Sequence, residues 1–245
     1  MAGCESPVLA GKTALVTGGG RGIGAATALA LAQAGADVAV AARTEAEVQG
    51  VAERVRALGR RSVAVCCDLA REDECLRAVE QASRELGGVA ILVNNAGTGR
   101  FAPIWETTGA DFGLHMNLNL AAAFHCTRAA LPAMMSARSG WIVNVASSSG
   151  KKPYPKQGLY CASKAALIML SKCMALELRD HGIRVHAVCP GAVDTQMSDQ
   201  VHPERQREGW IQPEDVAATI LHLLTMPPHI ATDEISVRRF MADPL

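Results

Sequence analysis

Short apolar runs alternate along the chain with longer stretches of helical periodicity. The runs fall at residues 13–17, 37–42, 62–67, 89–94, 140–146, 183–190 and 234–238. Most are continuously apolar, as expected of strands covered on both faces. The stretches between them, about 22–34, 44–58, 71–86, 109–137, 159–180 and 213–225, read as helices. Strand–helix alternation of this kind predicts an α/β fold, a Rossmann-like doubly wound parallel sheet of about seven strands with helices on both faces. No linker, repeat or low-complexity segment divides the 245 residues, so a single domain is expected over 1–245.

Ligands in such sheets bind at the carboxyl ends of the strands, so the residues just after each run carry the information. The first run is followed by TGGGRGIG at 17–24, containing Gly18, Arg21, Gly22, Ile23 and Gly24. Glycines there permit positive φ and let the backbone approach a pyrophosphate, which would rest on the next helix N-terminus. The spacing is not the literal GxGxxG, and a glycine cluster by itself also suits a tight turn without a ligand. The second run ends in Ala42, Arg43 and Thr44, where an NAD site usually carries a carboxylate for the ribose 2′-hydroxyl. Arg21 and Arg43, with no carboxylate at that position, favour a 2′-phosphate and hence NADP(H). The alternative is that Arg43 only solvates the helix start.

The fifth run is followed by Ser147, and Tyr160 and Lys164 stand four residues apart at the start of a helix, on one face. A phenol titrates near ~10, too high for a base at neutral pH. A neighbouring ammonium, aided by an oxidised nicotinamide, would lower that value. Tyr160 would then exchange a proton with a substrate oxygen that Ser147 hydrogen-bonds. Asn119, on the preceding long helix, would hold a water linking Lys164 to solvent. A YxxxK pair alone is commonly a helical surface pair; its place after the fifth strand gives it weight.

Composition narrows the partners. Basic and acidic residues number 24 each, without a long basic run, so neither nucleic acid nor an anionic membrane is expected. No uninterrupted apolar run approaches the ~20 residues of a membrane helix, and the first six residues lack a signal-peptide pattern. The cysteines, at 4, 66, 67, 75, 126, 161, 173 and 189, form no CxxC pair, as expected of reduced thiols in a cytoplasmic protein. The seven histidines are scattered and no metal site is expected. Aromatics make up only 4% of the chain, which implies a core of Ala, Val, Leu and Ile.

Together these motifs resemble the short-chain dehydrogenase/reductase superfamily over nearly the whole length. The resemblance rests on TGGGRGIG at 17–24, Cys67-Asp68-Leu69, Asn94-Asn95-Ala96-Gly97, Met116 to Leu120, Val145-Ala146-Ser147, Tyr160 to Lys164, and Pro190 to Thr195. It implies that Asp68 and Leu69 meet the adenine, and that Asn95, Ala96 and Gly97 line its ribose and support the sheet. Tyr160 and Lys164 would also grip the nicotinamide ribose, while Pro190, Gly191, Val193 and Thr195 border the nicotinamide. Asn119, Ser147, Tyr160 and Lys164 would form the catalytic tetrad. Relatives commonly assemble as tetramers through the two long helices, so a homo-oligomer, tetramer or dimer, is expected. The stripe Leu167, Leu170, Met174 and Leu178 suits such an interface or ordinary core equally.

The C-terminal stretch from Ala231 to Arg239 departs from the common Val-Asp-Gly-Gly-like ending and looks more like that of carbonyl and hydroxy-acid dehydrogenases of the superfamily. Loops 98–110, 148–159 and 191–212 should form the substrate site. There Phe101, Trp105, Tyr154, Met197 and Trp210 either line an extended apolar substrate or anchor the loops. Lys151, Lys152 and Lys156 either attract an anionic substrate or acyl carrier, or are simply solvated. The implied chemistry is NADP(H)-dependent interconversion of a carbonyl and an alcohol. A 3-oxoacyl thioester heads the substrates, in a site resembling 3-oxoacyl-[acyl-carrier-protein] reductases, ahead of other ketones, aldehydes and 3-hydroxy acids. The contrasting class, a nucleotide-sensing protein on the same fold, tends to lose the tyrosine or lysine that this chain keeps.

Overall fold

The apolar runs become seven strands: β1 (Thr13–Thr17), β2 (Asp37–Ala42), β3 (Ser62–Cys66), β4 (Ile91–Asn94), β5 (Gly140–Val145), β6 (Ile183–Pro190) and β7 (Glu234–Val237). All pair in parallel in the order β3-β2-β1-β4-β5-β6-β7. The order reverses direction between β1 and β4, the position at which such sheets open a crevice. The structure is a computed structural model and describes residues 7–201 and 207–243. Cys4 and the N-terminal stretch expected to lack a signal peptide lie outside the described residues.

Successive strand residues face opposite layers, so two cores form. Ala14, Val16, Val38 and Val40 pack with Leu31 of α1 (Gly22–Gln33), Val48 and Val55 of α2 (Glu45–Ala57), and Ile220 and Leu223 of α8 (Pro213–Thr225). On the other face Leu15, Leu92 and Ile142 pack with Ala78 and Val79 of α3 (Glu72–Leu86), Cys126 and Met134 of α5 (Ala122–Ala137), and Met174 and Leu178 of α6 (Gly158–Leu178). Leu167, Met174 and Leu178 are buried and Leu170 packs half-buried against the same core, so the stripe on α6 is core; Met169 and Leu176 are its exposed large apolar residues. By length and composition, Gly158–His181 is apolar enough to cross a membrane, although Lys164 and Lys172 interrupt it, so it is not the uninterrupted apolar run that the sequence lacks. In the fold this helix packs on the sheet and carries Lys164.

Two other departures bear on function. The expected single helix 109–137 is α4 (Gly109–Met116) and α5 joined by a π-turn at Asn117–Ala121. The apolar periodicity continues through both, so sequence pattern alone does not mark the wider turn. The 191–212 loop contains α7 (Gln196–Val201), with residues 202–206 outside the described part.

Candidate active site

The glycine turn is held from below by side chains of two strand ends. Thr17 Oγ1 accepts from the backbone N–H groups of Asn95 (3.0 Å) and Ala96 (3.1 Å), while Asn95 Nδ2 donates to the carbonyls of Thr17 and Gly18, both at 3.1 Å. The packing leaves no room for larger residues. Gly18 has φ +62°, and a Cβ on it would lie 2.9 Å from Ala96 Cα; one on Gly24 would lie 2.1 Å from the Gly18 carbonyl oxygen. Helix α1 then starts with no side-chain cap and no acidic residue in its first turn. Its leading N–H groups and the positive end of its dipole are therefore available to an anion. A glycine cradle open at an uncapped helix fits a dinucleotide pyrophosphate.

This cradle opens on a cavity of about 710 Å³. Gly18, Arg21, Gly22, Ile23, Arg43 and Thr44 line one end, and Leu69, Asn95, Ala96 and Gly97 continue the wall. Ser147, Tyr160 and Lys164 meet them, followed by Pro190, Gly191, Val193 and Thr195. Three expected residues are not in that lining. Gly24 packs behind the turn against Gly18. Asp68 is exposed and caps its own loop, accepting from Ala70 N–H at 3.1 Å. Asn119 is buried behind the loop after β4.

Arg43 is exposed, and its side chain has no hydrogen-bond or ion-pair partner among the described residues. Arg21 is different: its Nη1 lies 3.2 Å from Oε1 of Glu47, which also lines the cavity. Sequence reasoning missed this carboxylate. Glu47 stands in the first turn of α2, where an acidic residue ordinarily serves the helix dipole, and nothing in the pattern marks it as facing Arg21.

At the other end burial sets the chemistry. Lys164 is 4% exposed; its Nζ donates to the Val145 carbonyl at 2.9 Å and lies 5.9 Å from the Tyr160 ring centroid. Burial disfavours the ammonium and lowers its pKa to about 8. Burial also raises Tyr160 above the ordinary phenol value, opposed by a hydrogen bond from Ser147. The expectation that Lys164 depresses the phenol is therefore not met by the protein surroundings alone. Ser147 is nearly buried after β5, and its Oγ accepts from Ser149 N–H at 3.1 Å. Burial pushes the nearby Cys189 thiol up to about 11, which keeps it protonated and out of competition as a base.

The π-turn brings Asn119 inward to 1% exposure. Its Oδ1 accepts from Thr98 N–H at 2.7 Å, and its Nδ2 donates to the Thr98 carbonyl and to Ser163 Oγ, both at 3.0 Å. Insertions of this kind recur at functional sites because they re-aim one side chain within a helix. A Cβ at Gly97 would lie 3.2 Å from Asn119 Oδ1 and 3.4 Å from Lys164 Nζ. The bare glycine thus keeps a small space between the two polar groups.

Beneath the site, Asn94 Nδ2 donates to Asn144 Oδ1 at 2.9 Å and to Thr127 Oγ1 at 3.1 Å, and Asn144 Nδ2 donates to Ser171 Oγ at 2.8 Å. These bonds tie β4 and β5 to α5 and α6. Asn144 was unassigned by sequence reasoning, although an amide inside the apolar run 140–146 is a visible signal of a buried polar link.

The loop aromatics divide by role. Phe101 packs edge-on against Tyr160, ring centroids 5.5 Å apart, and Met197 lines the cavity. Trp210 is buried and anchors its loop, whereas Trp105 is 81% exposed. Lys152 lies 5.6 Å from the Tyr154 ring centroid. Lys151 is engaged by Glu234 at 2.7 Å and Ser236 at 3.0 Å, so β7 of the unusual C-terminal stretch clamps the turn that follows Ser147. The Phe101 loop is itself fixed to α4: Arg100 N–H donates to His115 Nε2 at 3.1 Å, and Arg100 Nη1 lies 3.0 Å from Asp111 Oδ1.

Comparison with known proteins agrees with this geometry. The short chain dehydrogenase family model matches residues 12–206. An uncharacterized oxidoreductase of Staphylococcus aureus (strain MRSA252) is 33% identical over 232 residues, covering 94% of this chain and 98% of the relative. A metagenomic short-chain oxidoreductase, solved in complex with NADP, is 33% identical with a TM-score of 0.84, covering 96% of this chain and 100% of that one. A blue fluorescent protein from a metagenomic library, solved with NADPH, is 32% identical with a TM-score of 0.87 over the same shares, 96% and 100%.

Proposed function

Because the chain belongs to the short chain dehydrogenase family, we propose that it is an NADP(H)-dependent oxidoreductase interconverting a carbonyl and a secondary alcohol. Within that activity, 3-oxoacyl thioester reduction is the first substrate class, ahead of other ketones, aldehydes and 3-hydroxy acids. The observation that carries the reading is the convergence of Ser147, Tyr160 and Lys164 with the glycine turn on one cavity. The exposed Arg43 side chain, without a partner among the described residues, the uncapped α1 and the NADP and NADPH complexes of two relatives support the choice of cofactor.

When bound, the nicotinamide supplies or accepts the hydride. The residues of the chain handle position and proton. Arg21 and Arg43 meet the 2′-phosphate, and the backbone from Gly18 to Gly24 takes the pyrophosphate. Leu69, Asn95 and Ala96 contact the adenosine half, and Pro190, Gly191, Val193 and Thr195 border the nicotinamide half. Ser147 hydrogen-bonds the substrate oxygen while Tyr160 gives or takes its proton. Lys164 titrates at about 8, near enough to neutrality to pass a proton on, and Asn119 sits across the Gly97 space to continue that path. Phe101 forms the apolar wall beside the tyrosine.

Exposed Phe124, Met169 and Leu176 on α5 and α6 support assembly as a homodimer or homotetramer. Zero formal charge argues against nucleic-acid or membrane partners. The unpaired thiols of the described residues support a cytoplasmic location.

The test is NADPH and NADH oxidation with a panel of 3-oxoacyl thioesters, simple ketones, aldehydes and quinones. NADPH-dependent turnover of the thioesters is expected. A strong preference for NADH would sink the roles of Arg21 and Arg43. Turnover of small ketones without thioesters would remove the 3-oxoacyl assignment and leave the reaction class.

A further inference from the structure

We infer that Glu47 is a specificity-determining residue that opposes the 2′-phosphate of NADP(H), so that the chain separates NADP(H) from NAD(H) less sharply than its two arginines alone would allow. The inference rests on the NADP(H) reading of the cavity and adds a repulsive element to it.

Packing sets the position of Glu47. A Cβ on Gly20 would lie 2.9 Å from Glu47 Cβ and 3.2 Å from its Oε2, so the glutamate stem lies across the glycine turn. From that position the carboxylate lines the cavity together with Arg21, Arg43 and Thr44 and takes Arg21 Nη1 at 3.2 Å. A phosphate arriving at Arg21 must displace this carboxylate or share the guanidinium with it. Five N–H donors allow sharing, but two anions on one cation repel each other at short range. Helix α2 adds little attraction, because Glu45 and Glu47 already complement the positive end of its dipole. A ribose without the phosphate meets no such repulsion, and its hydroxyl can donate to a carboxylate.

Specificity is a difference of two affinities and changes when either partner is penalised. Glu47→Gln keeps the stem over Gly20 and removes the charge. The substituted protein should bind NADPH about three- to tenfold more tightly at low salt, with the gain shrinking as ionic strength rises. NADH affinity should stay equal or fall, so the ratio between the two cofactors widens.

The experiment is calorimetric titration of wild-type and Glu47→Gln protein with NADPH, NADH, 2′,5′-ADP and 5′-AMP at two salt concentrations. Equal tightening for NADPH and 2′,5′-ADP, absent for NADH and 5′-AMP, is the expected pattern. Weaker NADPH binding in Glu47→Gln would show that the carboxylate orients Arg21 for the phosphate and would overturn the inference. So would unchanged affinity for every ligand. If wild-type protein binds NADH more tightly than NADPH, the cofactor reading fails. The role of Glu47 is still decided by its effect on 2′,5′-ADP, which reports the phosphate alone.

Discussion

At the glycine turn, Gly18 and Gly24 leave no space for a Cβ, while the side chains around them, Arg21, Arg43 and Thr44, stand at an open rim. At the opposite end, Ser147 and Lys164 are buried in ordinary strand-end and helical backbone, and Tyr160 is driven from its normal titration by its surroundings. One end is a shape made by backbone; the other is a set of protonation states made by burial. The first should be intolerant of added volume, with charge at its rim tuning the choice of cofactor and leaving the fold unchanged. The second should tolerate small changes of shape and fail when a proton or charge is removed.

The sharpest separation is expected at Tyr160. Tyr160→Phe removes a hydroxyl without disturbing the ring against Phe101, and steady-state turnover should fall by about 10²–10⁴-fold, the range of general acid–base contributions. Next comes Gly24→Ala, whose new methyl would meet the Gly18 carbonyl oxygen at 2.1 Å. Urea unfolding should show a loss of about 2–4 kcal/mol, and NADPH affinity should fall with it. Normal stability and binding in that variant would break the claim that the turn is a fixed shape.

Lys164 gives a pH test with a definite sign. Its folded pKa of about 8 lies below the 10.5 of a free lysine, so between those values the unfolded chain binds more protons and stability rises with pH. Below pH 8 the full burial penalty is present. Lys164→Met should therefore be more stable than wild type at pH 7 by about 1–3 kcal/mol. That advantage should fade toward pH 10.5 in thermal melts, while turnover stays low throughout. A destabilised methionine variant at pH 7 would mean that the bond to the Val145 carbonyl outweighs burial. The smallest effect is expected for Phe101→Ala, a change of about two- to tenfold in KM for bulky carbonyl substrates with kcat little altered, since an apolar wall contributes mainly to binding.

The same contrast explains what sequence reveals. The glycine turn is legible because backbone conformation writes itself directly into residue type, and the seven apolar runs place Ser147 and Pro190 at strand ends and Tyr160 at the start of the helix between them. Legibility fails where side chains choose partners across the fold. Glu47 reads as a helix-start acid, yet it reaches Arg21. Asp68 sits in a familiar motif but caps its own loop. The π-turn at Asn119 is not marked by residue type, because Asn117 to Ala121 holds no glycine or proline to signal a change of turn. Burial of Lys164 is a property of the assembled site, so the direction in which Tyr160 titrates cannot be taken from the four-residue spacing alone.

Whether the two ends are separable is decided most directly by titrating NADPH into the Tyr160→Phe variant whose turnover has been measured. Affinity within about tenfold of wild type, the loss of a single hydrogen bond, is expected beside turnover reduced by about two to four orders of magnitude. A fall in affinity as large as the fall in turnover would contradict it, because the cradle would then depend on the residue assigned to the proton.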